Sequence, residues 1–137
     1  MQITQKYINE LTYKVIGCAI EVNKHLGPGL LENVYEKCFH KKLALQSLAY
    51  QTQLWVPIEY KGLLVDAELR LDFIVEDLLL VELKAIECIL PVHEAQVLTY
   101  MQLMQKPKGI LINLNCVNIF KEGQRTFVNN LFAALPQ

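Results

Sequence analysis

The sequence predicts an α/β fold, a mixed central β-sheet flanked by helices on both faces. Three observations predict it. Apolar residues recur at steps of three and four through the first 26 residues, the spacing of a helix face. The stretch "LLVDAELRLDFIVE", residues 63–76, alternates between apolar and polar side chains, the spacing of a strand. The stretch "LLLVELKA", residues 78–85, is apolar at successive positions until it reaches a glutamate and a lysine. A central strand covered on both faces reads that way.

The elements follow in order. In the first helix, Ile8, Leu11, Val15, Cys18, Ala19, Val22 and Leu26 share a face. Gly27, Pro28 and Gly29 end it, because glycine and proline break a helix on either side. A second helix runs from about Leu30 to Ser47. Two antiparallel strands come next, "QTQLWVPIEY" and "LLVDAELRLDFIVE", joined by a tight turn at Lys61-Gly62. In the second of these, Val65, Ala67, Leu69, Leu71, Phe73 and Val75 take one face. Asp66, Glu68, Arg70, Asp72, Ile74 and Glu76 take the other. "ED" turns the chain into a third strand, Leu78 to Ile86. Pro91 suits the first turn of a third helix, "PVHEAQVLTYMQLMQ". "KGILINLN" is a fourth apolar strand, and "VNIFKEGQRTFV" a final strand or hairpin with its turn near Gly123. The expected order is α-α-β-β-β-α-β-β, read as one domain over residues 1–137.

Composition narrows the function classes. A hydrophobic content of 53% excludes a disordered chain. No apolar run approaches the roughly 20 residues of a membrane span. "MQITQKYINELTYK" has no apolar core of a secretory signal. The expectation is a soluble cytoplasmic protein with no membrane partner. Cys18, Cys38, Cys88 and Cys116 are scattered, with no C-x-x-C pair, and read as reduced core residues rather than a zinc site. A formal net charge of −1 gives no global basic field.

The charged pair on the third strand is the sharpest signal. Glu82 and Lys84 are two residues apart and therefore share a face, with Cα atoms ~6.6 Å apart. One reading is an ordinary surface ion pair, which contributes little. The other is a site at the end of a central strand, where α/β sheets place chemistry. A hairpin about "EDLL" puts Asp72 opposite Glu82 under a two-residue turn. Facing carboxylates need a positive charge between them, supplied by Lys84 or by a divalent cation. On the third helix, His93, Gln96 and Tyr100 line one face, and Gln96 can lie over the carboxylates. His93 reads as a first-turn residue. On the second helix, Glu32 shares a face with Tyr35 and Phe39. There it either needs a partner or is a first-turn glutamate favoured by the helix dipole.

"GPGLLENVYE" contains G-x-x-E-x-x-Y as Gly29, Glu32 and Tyr35. With "RLDFIVED", "LLLVELKAIE" and "PVHEAQVLTYM", the chain resembles the GxxExxY proteins over residues 8–128. These form a small bacterial and archaeal family within the PD-(D/E)XK nuclease superfamily. The resemblance implies a restriction-endonuclease-like core and phosphodiester hydrolysis of DNA or RNA. It implies that Glu32 is the acidic residue of the first core helix and Asp72 the metal-binding aspartate. Glu82 and Lys84 match the (D/E)-x-K pair, and Gln96 the glutamine of the following helix. Leu71 stands where the superfamily often has proline. The implied ligands are Asp72, Glu82 and Glu32, and the implied cofactor is Mg²⁺ or Mn²⁺. Mg²⁺ keeps several waters, so one or two carboxylates plus a substrate phosphate suffice. Lys84 would orient or activate a water, and Gln96 would orient Lys84 or a phosphate oxygen. A C2 homodimer suits cleavage of both strands of a duplex. The alternative is a non-catalytic nucleic-acid-binding or regulatory module that retains the nuclease fold. A third reading is a structural interaction domain whose charged pair is only an ion pair.

Overall fold

The computed structural model describes residues 2–65 and 69–137. Helix α1 runs over Gln5–Leu26, with the Thr4 hydroxyl accepting a hydrogen bond from the Tyr7 N–H at 3.0 Å. Ile8, Leu11, Val15, Cys18, Ala19 and Val22 form its buried face, as the spacing predicts. Helix α2 covers Glu32–Leu45 and buries Tyr35, Phe39 and Leu43. The turn between them rests on Tyr35. Its hydroxyl donates to the Gly27 carbonyl at 2.6 Å and accepts from the Leu30 N–H at 3.2 Å. The Gly29 N–H donates to Asn115 Oδ1 at 2.9 Å. Gly27 and Gly29 have φ of 73° and 99°, a region that glycine enters without the penalty of a Cβ. The spacing from Gly29 to Tyr35 is therefore that of a clamped turn that fixes where α2 begins.

The strands are β1 (Tyr50–Trp55), β2 (Ile58–Tyr60), β3 (Leu63–Val65), β4 (Arg70–Val75), β5 (Leu79–Lys84), β6 (Lys108–Asn113) and β7 (Gln124–Val128). Helix α3 (Pro91–Met104) connects β5 to β6, and a π-helical turn, Ile119–Gly123, precedes β7. A short helix, α4, covers Asn130–Ala133. The main sheet has the order β1-β4-β5-β6-β7. Only β5 and β6 run parallel, as a strand–helix–strand crossover requires, and the other neighbours are antiparallel. On one face, Phe73, Val75, Leu79, Val81 and Leu83 pack with the apolar sides of α1 and α2. On the other, Ile74, Leu80 and Leu111 pack with Val97, Tyr100 and Met101 of α3. This is the mixed sheet with helices on both faces that the sequence predicts.

The expected element order needs correction in the middle. The two long strands are four short ones. Val56-Pro57 interrupts the first, since proline has no N–H for a ladder. Beyond it, β2 and β3 form a separate two-stranded hairpin. Its turn is at Lys61-Gly62 as expected, with φ of 48° and 85°, the two positive angles of a tight hairpin turn. Asp66, Ala67 and Glu68, assigned above to the faces of one long strand, lie outside the described residues. Nor does β4 have a polar face, because Ile74 is buried beneath α3. Leu71 also leaves the alternation: it packs in the α3-side core with Ile74 rather than with Phe73.

The β4–β5 register is the expected one, with Phe73 opposite Val81, Ile74 opposite Leu80 and Val75 opposite Leu79. The connection is three residues rather than two. Glu76 and Asp77 have φ of 52° and 57°, and the Leu78 N–H donates to the Val75 carbonyl at 3.1 Å. Lys106 Nζ secures the turn through Asp77, at 2.8 Å to Oδ1 and 3.0 Å to the carbonyl oxygen. All four cysteines are free thiols. No described helix is long and apolar enough to cross a membrane.

Replacing Tyr35 with Phe removes the hydroxyl that joins Gly27 to Leu30 and leaves both main-chain groups without that partner. We expect a loss of about 1–3 kcal/mol in a urea unfolding titration. An unchanged midpoint would show that the clamp does not hold the turn.

Candidate active site

The site begins where the β4–β5 ladder ends. Phe73–Val81 is the last ladder pair, and beyond it the side chains of Asp72 and Glu82 take over from the main chain. The Asp72 N–H donates to Glu82 Oε1 at 3.3 Å, and the Leu83 N–H donates to Asp72 Oδ2 at 2.8 Å. Each carboxylate is thus held by the opposite strand. Both side chains are buried.

Helix α2 brings two more carboxylates to the same place. Glu32 and Glu36 are one helical turn apart and so project from one face. One oxygen from each of Glu32, Glu36 and Asp72 lies within 4.8 Å of the other two. Gln53 of β1 reaches this group from the sheet edge, its Nε2 donating to Glu36 Oε2 at 3.5 Å. Gln53 has φ of 51° and falls between the Thr52–Phe73 and Leu54–Leu71 pairs, outside the regular ladder. Lys84 ends β5, half-buried.

On the α3 side, the Gln96 amide donates to the Tyr100 hydroxyl at 3.2 Å. Burial pushes the Tyr100 hydroxyl pKa up, and the negative charge of Glu82 pushes it further. Tyr100 therefore stands within the field of the acidic group, and Gln96 approaches that group through Tyr100. His93 is a capping residue, its Nδ1 accepting from the Leu90 N–H at 2.9 Å.

The electrostatics follow from crowding. Glu82 is pushed up to about 9, first by burial and then by Asp72, with Lys84 pulling the other way. Glu36 is pushed up to about 7 by burial, then by Asp72 and Glu32. Glu32 is raised by burial and by Asp72, while Lys84 opposes the shift. Among the described residues, Lys84 is the cation that acts on Glu32 and Glu82, and full ionisation of the four carboxylates leaves a large uncompensated negative charge. A compact set of carboxylate oxygens with excess charge is the donor set that a hard divalent cation prefers.

The structure brings Glu32, Asp72, Glu82 and Lys84 to one end of the sheet. The three carboxylates that converge most closely are Glu32, Glu36 and Asp72, with Glu82 beside Asp72. Gln96 bonds Tyr100 rather than Lys84 or a carboxylate. Sequence reasoning passed over Glu36, although its place four residues after Glu32 carries the signal. Gln53 had no such signal, because its position depends on a local left-handed backbone.

The raised values set the pH dependence of the empty site. A carboxyl that binds its proton more tightly in the fold than in the unfolded chain stabilises the fold while protonated. That stability is fully present below the ordinary value of 4.5 and is lost as pH rises through about 7 for Glu36 and about 9 for Glu82. The metal-free melting temperature should therefore fall as pH rises from about 5 to about 9. Glu82→Gln should flatten the upper part of that slope. A melting temperature that climbs with pH over this range would contradict the arrangement.

A sequence model of the PD-(D/E)XK nuclease superfamily matches residues 9–126. No curated protein and no solved structure matches the chain. The matched span takes in most of α1, all of α2, the acidic strands β4 and β5, and α3. The chain belongs to the PD-(D/E)XK nuclease superfamily.

Proposed function

We propose that the chain is a metal-dependent nuclease of the GxxExxY branch, hydrolysing phosphodiester bonds in DNA or RNA with Mg²⁺ or Mn²⁺. The observation that carries this reading is the convergence of Glu32, Glu36 and Asp72 beside Glu82 and Lys84. Buried carboxylates in excess of nearby cations stabilise a fold poorly, so their gathering makes sense as a binding site.

Glu32, Glu36 and Asp72 would hold the cation, with Glu82 close enough to Asp72 to share its neutralised charge. When bound, the cation offsets negative charge on the scissile phosphate and favours ionisation of a nucleophilic water. Lys84 supplies a mobile positive charge at the strand end, suited to holding the attacking water or a phosphate oxygen. Gln96 keeps the Tyr100 hydroxyl oriented toward the acidic group and is a positioning residue. The backbone bonds to Asp72 and Glu82 restrict their rotation, which preorganises the site. The chain would act as one domain in the cytoplasm, where a reducing environment keeps its thiols free. Cleavage of both strands of a duplex would call for a second copy in a C2 arrangement.

A second reading is a nucleic-acid-binding or regulatory module that retains the fold. The formal net charge of −1 favours it, since a phosphate-tracking enzyme gains from a basic surface.

Two variants separate the readings. Mg²⁺ or Mn²⁺ should raise the melting temperature of the wild-type chain by ligand linkage. Asp72→Asn should lose most of that rise together with cleavage. Lys84→Ala should keep the rise, because it removes a charge that competes with the cation, yet lose about 10²–10⁴-fold in cleavage rate. If Asp72→Asn leaves cleavage intact, the nuclease assignment of this site fails. A metal response with no cleavage of any DNA or RNA would make the module reading the better one.

A further inference from the structure

We infer that Trp55 and Arg70 form a stacking platform beside the acidic site, and that the substrate is an unpaired stretch of nucleic acid rather than an intact duplex. The inference rests on the nuclease reading above and adds the substrate class. Trp55 ends β1, the edge strand of the sheet, and is 53% exposed. Arg70 begins β4 directly opposite it in the ladder. The guanidinium lies over the indole with its carbon 4.1 Å from the ring centroid.

This pair shares both of its strands with the site. Asp72 follows Arg70 by two residues on β4, roughly 7 Å of strand. Gln53, which donates to Glu36, precedes Trp55 by two residues on β1. A second pair of the same kind lies on the hairpin that continues from β1. Tyr60 is 62% exposed, and Lys61 Nζ sits 5.4 Å from its ring centroid. Two exposed aromatic rings, each accompanied by a cation, are therefore carried by β1 and by the hairpin that follows it in the chain.

The chemistry of the pair selects the ligand. A guanidinium stacked on an indole keeps its N–H donors directed outward in its own plane, free for phosphate oxygens. An exposed aromatic ring offers a face to a nucleobase, and such stacking tolerates any base. In a duplex the base faces are already covered by their neighbours, so only unpaired nucleotides or frayed ends can use the platform. A net charge of −1 gives the chain no global basic field, which leaves stacking a larger share of the affinity.

Trp55 is the only tryptophan, so its emission reports on this position alone. The test titrates the full-length chain, in EDTA to stop cleavage, with oligo(dT), oligo(rU) and a blunt DNA duplex of equal length. We expect quenching by the single strands at concentrations where the duplex has little effect. Anisotropy of a labelled oligo(dT) should show Trp55→Ala binding roughly 5- to 100-fold more weakly, with Trp55→Phe restoring most of the loss. Melting temperatures of both variants exclude a folding defect as the cause. Equal quenching by duplex and single strand, or none by either, overturns the inference. So does an emission shift that tracks protein concentration instead of oligonucleotide, which would mark an interface between copies of the chain. Cleavage in Mg²⁺ or Mn²⁺ without quenching rejects the platform and leaves the nuclease reading standing. Quenching by single strands without cleavage of any substrate supports the platform and rejects the nuclease reading.

Discussion

Asp72 and Glu82 face each other where β4 and β5 stop exchanging main-chain hydrogen bonds. Two buried carboxylates in that position repel, and each is tolerated because a backbone N–H of the opposite strand points at it. The surrounding irregularities lie at the same level of the sheet. Leu71 leaves the face of its strand, and Gln53, on the other side of Asp72, adopts a left-handed backbone. A regular ladder would have used these groups to pair strands. Here they aim side chains.

Helix α2 adds charge to a place that already has too much. Its start is fixed by the clamp of Tyr35 on the Gly27–Gly29 turn, so Glu32 and Glu36 are delivered by a rigid element and not by a loop. Their environments differ. Glu32 is the first residue of the helix, where the macrodipole favours an anion, and Lys84 acts on it as well. Glu36 lies a turn further in, beyond most of that benefit, and feels both Asp72 and Glu32. Burial first, and then these two charges, push Glu36 up to about 7. One lysine cannot neutralise four acids, so the cluster must hold protons or attract a cation.

The register of β4 against β5 was legible because both strands are largely apolar and the connection between them is short and opens on two acidic residues. A slip of one residue would have exchanged every buried side chain with its opposite face. The breakup of the preceding strands was less legible, although Pro57 marked it. Alternation continued through residues 63–76 and masked the change from hairpin to sheet. Among the site residues, Glu82 and Lys84 could be placed from strand periodicity, and Asp72 from the hairpin register that sets it against Glu82. Glu36 could have been placed from helical periodicity, since it follows Glu32 by four residues, but the face read for Glu32 was the one it shares with Tyr35 and Phe39. The bond from Gln96 to Tyr100 required the packing of α3 against β5, which no local pattern encodes.

Charge separation along the edge of the sheet gives the arrangement a consistent logic on the nuclease reading. A phosphodiester is repelled by the four carboxylates until their charge is neutralised. Attraction must therefore come from elsewhere, and Arg70, two residues before Asp72 on β4, is a cation held against an aromatic ring. Contacts there can hold a nucleotide strand by stacking and phosphate pairing without weakening the acidic cluster's demand for a cation. Had Arg70 been directed at Asp72 instead, it would have satisfied that carboxylate and removed a ligand from the set. On the nuclease reading, its position over Trp55 would keep the two functions apart, the start of β4 for grip and Asp72, two residues on, for chemistry.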